Sequence, residues 1–506
     1  MKKLQNGDDI DIMNELILLC EQLSLSSDQI GDNPNMPKLL EEICLNLEKL
    51  YLPEIIIYSL QCINYILDIN PGLTSVLKRV GAIPKIIILI SAMEDTTCLE
   101  YIVSVFEKIS FENSFLLLEN DVFVSLLNVI DFLATPQRKS IMKICQNISA
   151  NSITSKQFDQ FIKPGMEALC SLTKFNEDNN YVNEKAIIIY YNIIITLNQG
   201  FYFNNNPELE NEIGKYCFME NFCEILKKYF IENNKKITAE LVKKILKIIQ
   251  IIFKVSKKST DKLLSINFLE IVVEIIHHEF NDIITNDDNN NKISISINSK
   301  NTNNINTAKS SSSFLNELFS LLLSLFPDIK DSKDNQKIKD EKILRKENER
   351  YYIFLCKNII KPLINNIINK SACSTLNNLV KLILAFSKSA SKETIENCIN
   401  SKQMAQIISK LLDTKYEPYV NDLIYLLEIF MSKVPEHFIK HLIREGIIES
   451  IKNYDFEPKK SNDNSKKKNK KKDKKDKDKE KKDKENDSFS DILDNENNYN
   501  DNYDNH

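Results

Sequence analysis

Apolar residues recur along this chain at the spacing of one face of an α-helix. Two sets of four stand at positions i, i+3, i+4 and i+7: Ile141, Ile144, Cys145 and Ile148, and Leu423, Leu426, Leu427 and Phe430. This spacing is typical of amphipathic helices that bury one face. We therefore predict an all-α chain in which both sets are core positions.

A helix–turn–helix unit recurs along the chain at a period of about forty residues. One copy contains the turn Arg79-Val-Gly81-Ala-Ile-Pro84, and the next begins near Asp121, with a third near Phe161. Arrays of the armadillo or HEAT kind have such a period, because no single repeat buries its own apolar face. The expected fold is an all-α, armadillo/HEAT-like superhelix, and such arrays present long surfaces to which other proteins bind.

Glycine usage argues against a nucleotide-binding enzyme. The chain has 8 Gly in 506 residues, and its Gly214-Lys215 pair is followed by Tyr216 rather than Ser or Thr. A phosphate-binding loop needs glycines at fixed positions, and no G-x-G-x-x-G is present. We predict no cofactor and no small-molecule ligand.

The cysteines and the N-terminus indicate the compartment. The 11 Cys are scattered singly without a C-x-x-C pair, which predicts buried, reduced thiols. The first residues run into acidic side chains rather than an apolar signal core, and the most apolar stretch, Ala186–Leu197, is short of the about 20 residues that span a bilayer. The predicted location is the cytoplasm and/or the nucleus, with no membrane contact.

Charge is unevenly distributed about a net value of −5. Residues Lys459–Glu485 carry 15 Lys against 7 acidic residues, whereas Asn486–His506 carry 6 acidic residues and no Lys or Arg. The remainder is mildly acidic, which argues against specific nucleic-acid binding by the array. The Lys-rich run is either a nuclear-import signal or a solvated low-complexity tail.

Composition divides the chain into six parts. An Asn-rich stretch closed by four serines buries too little apolar surface to order itself, as does the Lys/Asp/Asn-rich end. The predicted parts are an N-terminal leader (1–35), a first array (36–280), a disordered insertion (281–313), a helix and charged connector (314–350), a second array (351–458) and a disordered tail (459–506).

One histidine pair has the spacing of metal ligands, and a second pair ends a predicted helix. His437 and His441 stand four apart on a predicted helix, but no H-E-x-x-H and no nearby third ligand accompany them. His277-His278 ends a predicted helix, where an imidazolium suits the helix dipole. We assign no metal site and no catalytic residue.

One helix offers a candidate partner-binding face. On the helix from about Pro136 to Ser149, the apolar set faces the core and leaves Lys143 and Asn147 on another face, with Gln137 and Arg138 near its start. These four residues either contribute hydrogen bonds and charge to a bound protein segment, or are simply solvated, or Gln137 and Arg138 cap and brace the neighbouring repeat.

Three stretches resemble the N-terminal armadillo region of the ubiquitin-fusion-degradation and thyroid-receptor-interacting family of HECT-type E3 ubiquitin ligases. The similar stretches are Val129–Ile148 with its IDFLATPQR segment, Phe314–Pro327, and Leu427–Ile447 with its KVPEHF and REG segments. They occur in the family's order, with a variable insertion between two arrays.

The resemblance implies a recognition scaffold for protein substrates that bear degradation signals, in contact with ubiquitin-pathway components. It does not supply catalysis, because the family's thioester-forming cysteine lies in a HECT domain and the last cysteine here, Cys398, lies in a helical array. We expect either a fragment of such a ligase or a stand-alone scaffold, so enzyme activity is left open. The alternative is an armadillo-type adaptor unrelated to ubiquitin.

Overall fold

The computed structural model describes thirteen stretches of the chain, and the statements below concern these residues. They are residues 4, 7–25, 33–92, 96–200, 202–205, 218–255, 257–277, 314, 316–326, 353–362, 364, 373–413 and 417–452. One compact unit spans Met1–Ile451. Its described residues form helices and turns, with no strand among them, which confirms the predicted all-α class.

Helices make up most of the described stretches. In chain order they are α1 Asp9–Leu25, α2 Met36–Leu45, α3 Pro53–Ile69, α4 Thr74–Arg79, α5 Ala82–Ala92, α6 Thr96–Leu118, α7 Val122–Val129, α8 Thr135–Ser149, α9 Met166–Leu172, α10 Asn180–Gln199, α11 Phe218–Phe230, α12 Ala239–Val255, α13 Lys257–Ser265, α14 268–277, α15 316–323, α16 Cys373–Ser389, α17 Lys392–Cys398, α18 Ser401–Asp413, α19 Glu417–Lys433, α20 Pro435–Arg444 and α21 Ile447–Lys452.

Long helices of successive repeats stack directly on one another. Helices α3, α6, α8, α10 and α12 pack side by side in chain order, and we call them the second-helix layer. The shorter helices α5, α7 and α9 contact one another in chain order. Successive long helices begin at Pro53, Thr96, Thr135 and Asn180, which is a period of about forty residues. The predicted armadillo/HEAT-like repeat is therefore confirmed.

A left-handed residue marks the turn inside several repeats. Gly81 and Gly446 have φ of 62° and 67°, and Asp121 and Asn267 at comparable junctions have φ of 56° and 59°. Glycine, Asn and Asp tolerate this region better than other residues, because a larger or branched side chain clashes with the backbone there. The forty-residue offset between Gly81 and Asp121 in the sequence thus reflects the same turn in two repeats.

Helix α6 changes direction at Asn113. This residue has φ −153° and ψ 70°, and its side-chain oxygen accepts the Leu116 backbone N–H over 3.1 Å. An Asn side chain that accepts such an N–H caps the start of a helix. The last turns of α6 therefore begin the next repeat.

Both predicted core sets are buried. Ile141, Ile144, Cys145 and Ile148 have no exposed surface, and the set on α19 is buried as well. Aromatic packing adds to the first array, since the Tyr190 and Phe218 rings stack with centroids 3.9 Å apart. Core burial of these side chains confirms the periodicity argument.

The stretch predicted as an N-terminal leader contains helix α1. Its residues Ile12, Leu16, Cys20 and Leu23 are buried, and α1 packs against α3 as a further member of the stack. The predicted insertion 281–313 and tail 459–506 lie outside the described residues, as does the connector beyond Phe326 up to residue 352.

Candidate protein-binding face on the second-helix layer

The candidate residues lie on α8, in the middle of the second-helix layer. Helix α8 packs between α6 and α10. Because Ile144 and Ile148 face the core, the side chains of Lys143 and Asn147 point along the layer towards α6. Lys143 and Asn147 therefore contact the neighbouring helix α6, whereas Gln137 and Arg138, at the start of α8, do not share these contacts.

Lys143 forms two contacts with α6. Its ammonium lies 3.1 Å from the Glu107 carboxylate and 4.3 Å from the centre of the Phe111 ring. A lysine at this distance from a ring face is attracted by the ring quadrupole. Phe111 is 58% exposed, so this cation and ring together form part of the surface.

Asn147 joins the same two helices by a neutral hydrogen bond. Its side-chain Nδ2 donates to Ser110 Oγ over 3.0 Å. An amide side chain offers two N–H groups and a carbonyl oxygen, so one such contact leaves capacity for others.

The amide–hydroxyl contact of Asn147 recurs along the array, which sequence reasoning did not predict. The equivalent pairs are Ser104 with Asn64 Oδ1 at 3.0 Å, Asn192 with Ser149 at 3.1 Å and Gln250 with Ser320 at 2.8 Å. They join α3 to α6, α8 to α10 and α12 to α15. In the pairs of Asn64, Asn147 and Asn192 the hydroxyl residue lies about forty positions away, on the long helix of the adjacent repeat, and this spacing was the available signal. Gln250 and Ser320 lie 70 positions apart, so that spacing does not mark their pair.

Arg138 braces the turn before its own helix. Its Nε donates to the Leu133 carbonyl over 2.8 Å and its Nη2 donates to the Asp131 carbonyl over 2.8 Å. Gln137 is half-buried, and its Oε1 is buried without a hydrogen-bond partner in the described chain. The contacts of Arg138 correspond to the bracing alternative, although within one repeat.

An open cleft lies beside Arg138 where two repeats meet. Its volume is about 630 Å³, and polar groups line it, among them Asp131, Lys174, Glu177 and Lys228. Lys228 lies 5.1 Å from the centre of the Phe175 ring, and Glu177 pairs with Lys236 over 2.9 Å. That hydrogen bond and the Lys236 charge lower the pKa of the Glu177 carboxyl.

Further lysines lie over aromatic rings along the layer. The ammonium groups of Lys139 and Lys185 lie 5.5 Å and 5.6 Å from the centre of the Tyr181 ring. Lys244 on α12 lies 5.3 Å from the Tyr191 ring on α10. With Lys143 over Phe111, these contacts give the layer an alternation of cations and rings from α6 to α12.

Two histidines, His437 and His277, contact backbone carbonyls. His437 Nε2 lies 3.2 Å from the Ile399 carbonyl, and His277 Nε2 lies 3.0 Å from the Asn358 carbonyl. His278 lies outside the described residues. No group of three His, Cys, Asp or Glu side chains suited to a metal ion occurs within the described ranges.

The described thiols are buried, and burial suppresses the ionisation of several of them. Nine cysteines that the structure describes are buried and free of disulfides. Burial raises the pKa of the Cys44 and Cys223 thiols to about 12 and also raises that of Cys145. A hydrogen bond from Cys62 lowers the pKa of Cys20, against the opposing effect of burial. A protonated thiol is a weak nucleophile, so Cys44, Cys145 and Cys223 are suited to packing.

Among the helices that the structure describes, none combines the length and apolar character that crossing a membrane requires.

Comparison with known proteins leaves the family open. No protein family model and no curated protein matches the chain. Among solved structures, an engineered protein from a structural genomics consortium is 12% identical, with a TM-score of 0.49 over 89% of this chain and 92% of its own. A computationally designed armadillo repeat protein for modular peptide recognition is 17% identical, with a TM-score of 0.37 over 49% of this chain and 97% of its own. A designed armadillo repeat protein in complex with the peptide (KR)4 is 18% identical, with a TM-score of 0.35 over 50% of this chain and 97% of its own.

Proposed function

We propose that this chain is a non-catalytic scaffold whose second-helix layer binds an extended segment of a partner protein. One observation carries the proposal: five long helices pack side by side, and from α6 to α12 they carry side-chain amides and lysines that lie over aromatic rings. In helical-repeat arrays, such a layer forms an extended binding surface. Amide groups suit the backbone of an extended peptide, and exposed rings suit its apolar side chains.

The partners that we propose are protein substrates bearing degradation signals, recruited for a HECT-type E3 ubiquitin ligase. The resemblance of Val129–Ile148, Phe314–Pro327 and Leu427–Ile447 to that family supports this finer proposal. The contacts of Arg138 add a structural argument: in the first stretch, the arginine braces the turn that the Asp-Phe-Leu segment forms, so these residues act together. The chain's contribution would be binding, with ubiquitin transfer supplied by a HECT domain.

The binding proposal is tested with Lys143→Ala combined with Asn147→Ala. Partners captured by the parent chain are identified, purified and titrated against both proteins. We expect the double variant to bind more weakly while its helical content is unchanged, because both side chains lie on the solvent side of the core. Equal affinity of both proteins for each purified partner would remove this face as the binding site.

The ubiquitin proposal is tested separately, on the same purified partners. We expect their ubiquitination and turnover in cells to depend on the parent chain and to be lost with the double variant. Partners that bind through Lys143 and Asn147 but keep their half-lives when the chain is removed would instead identify an adaptor unrelated to ubiquitin.

A further inference from the structure

We infer that the segment bound across α8, α10 and α12 is acidic. This inference rests on the proposed function and names the chemistry of its partner. It is carried by three features of the layer: segregated charge, lysines without carboxylate partners, and rings placed beside those lysines.

Charge is segregated along the second-helix layer. Helices α8, α10 and α12 carry eight basic and two acidic side chains, whereas α3 and α6 carry one basic and five acidic side chains. The basic set is Arg138, Lys139, Lys143, Lys185, Lys243, Lys244, Lys247 and Lys254. This basic region stands out because the chain as a whole has a net charge of −5. A surface of one sign favours partners of the other sign.

Lys139 and Lys185, which lie around Tyr181, form no close ion pair within the described chain, and at longer range the charge of Lys185 contributes to lowering the pKa of the Glu240 carboxyl. No carboxylate of the described chain lies within ion-pair distance of Lys139 or Lys185, although both ammonium groups lie within 6 Å of the Tyr181 ring centre. At the acidic end of the layer, by contrast, Lys108 is paired with Asp68 at 2.8 Å. The cations without a close ion-pair partner therefore lie between α8 and α10.

Tyr181 gives these cations a fixed position. The ring is 38% exposed, and lysine stems that lie against a ring lose part of their rotational freedom before any partner binds. A glutamate or aspartate side chain that approaches the ring edge would meet both ammonium groups.

The geometry also sets the length of the segment. Neighbouring packed helices are about 8–10 Å apart, so α8, α10 and α12 span roughly 20 Å between their outer axes. An extended chain covers about 3.3–3.6 Å per residue, so about six residues cross this region. Asn147 and Asn192 each retain hydrogen-bonding capacity for the backbone of such a segment.

The test uses three fluorescein-labelled octapeptides, rich in Glu, in Ser or in Lys, and the full-length chain at physiological salt. Fluorescence anisotropy should show binding of the Glu-rich peptide, weakened roughly tenfold or more by Lys139→Ala with Lys185→Ala. The charge-conserving Lys139→Arg with Lys185→Arg should retain binding within about twofold.

Two controls remove the same charge elsewhere. Lys38→Ala with Lys78→Ala alters exposed lysines on α2 and α4, and Lys467→Ala with Lys471→Ala alters the Lys-rich run near the end of the chain. An equal loss of affinity in either control would show non-specific attraction and would overturn the inference. Tighter binding of the Ser-rich or Lys-rich peptide would overturn the inference that the partner is acidic and would leave the scaffold proposal standing. If none of the three peptides bound, the result would count against both the inference and the scaffold proposal.

Discussion

Asn147 donates its side-chain amide to the hydroxyl of Ser110, which in turn donates to the backbone carbonyl of Glu107 over 2.7 Å. This link joins α8 to α6 beside the Lys143–Glu107 ion pair, at the edge of a largely apolar contact. Aliphatic packing is non-directional and tolerates sliding of one helix along another. A directional hydrogen bond to a side chain that is 97% buried fixes which turns of the two helices face each other.

We expect the Asn147–Ser110 pair to be energetically coupled. In a double-mutant cycle with Asn147→Ala and Ser110→Ala, the coupling should be about 0.5–1.5 kcal/mol, the range of a neutral hydrogen bond. Ser110 keeps its bond to the Glu107 carbonyl when Asn147 is truncated, so no buried polar group is left unsatisfied. Chemical unfolding followed by circular dichroism measures each variant.

The matched control for that cycle combines Asn147→Ala with Ser104→Ala. Ser104 bonds to Asn64 rather than to Asn147, so the two changes should add to within about 0.3–0.5 kcal/mol. Coupling of equal size in both cycles would show that the hydrogen bond between Asn147 and Ser110 is not its source.

Local periodicity predicted the helices and their buried faces, but not the contacts between repeats. Ile144 and Ile148 could be placed in the core because a helix fixes the direction of residues three and four apart. The partner of Asn147 lies 37 residues away, and that distance depends on the length of the turns between the helices. Arg138 shows the same limit, since its carbonyl partners depend on the shape of the turn before α8.

Truncating a core side chain of α8 should destabilise the first array. Ile144 has no exposed surface, and Ile144→Ala should lower the free energy of unfolding by about 2–5 kcal/mol, because it removes apolar contact and leaves a cavity. Thermal and urea unfolding followed by circular dichroism measure this change.

Ile88 provides a control of the same chemistry on the surface. It belongs to α5 and is 54% exposed, so Ile88→Ala should change the unfolding free energy by no more than about 0.5 kcal/mol. If both substitutions had the same effect, the packing assigned to α8 would be wrong.

The thiols of Cys20 and Cys62 should form a disulfide on mild oxidation. Their sulfur atoms lie 3.1 Å apart on packed helices α1 and α3, and the hydrogen bond from Cys62 lowers the pKa of Cys20, which favours the reactive thiolate. With diamide as oxidant, the two thiols transfer two electrons and two protons to its N=N bond as the S–S bond forms. Peptide mapping by mass spectrometry should identify the Cys20–Cys62 cross-link.

The cross-link should also stabilise the attachment of α1. It joins residues 42 positions apart, and closing a loop of that size removes roughly 4 kcal/mol of unfolded-state entropy at most. Cys62→Ser should abolish both the cross-linked peptide and the rise in unfolding temperature after diamide treatment. A rise that persists in this variant would have to come from other cysteines.

Lys433 should stabilise the second array through the end of α16. Its ammonium lies 2.8 Å, 2.7 Å and 2.9 Å from the carbonyl oxygens of Ser387, Lys388 and Ala390 and donates to all three. The last carbonyls of a helix lack partners within the helix and carry the negative end of its dipole, so a cation there satisfies both needs. Lys433→Met keeps most of the aliphatic stem and removes these bonds, and we expect it to cost about 1.5–3 kcal/mol, the range for hydrogen bonds to a charged group.

Lys440→Met on the exposed side of α20 removes the same charge and should leave stability nearly unchanged. Hydrogen exchange of α16 and α19 measured by mass spectrometry should therefore accelerate in Lys433→Met and remain at the parent rate in Lys440→Met; equal rates in the two variants would show that the contact does not anchor α16.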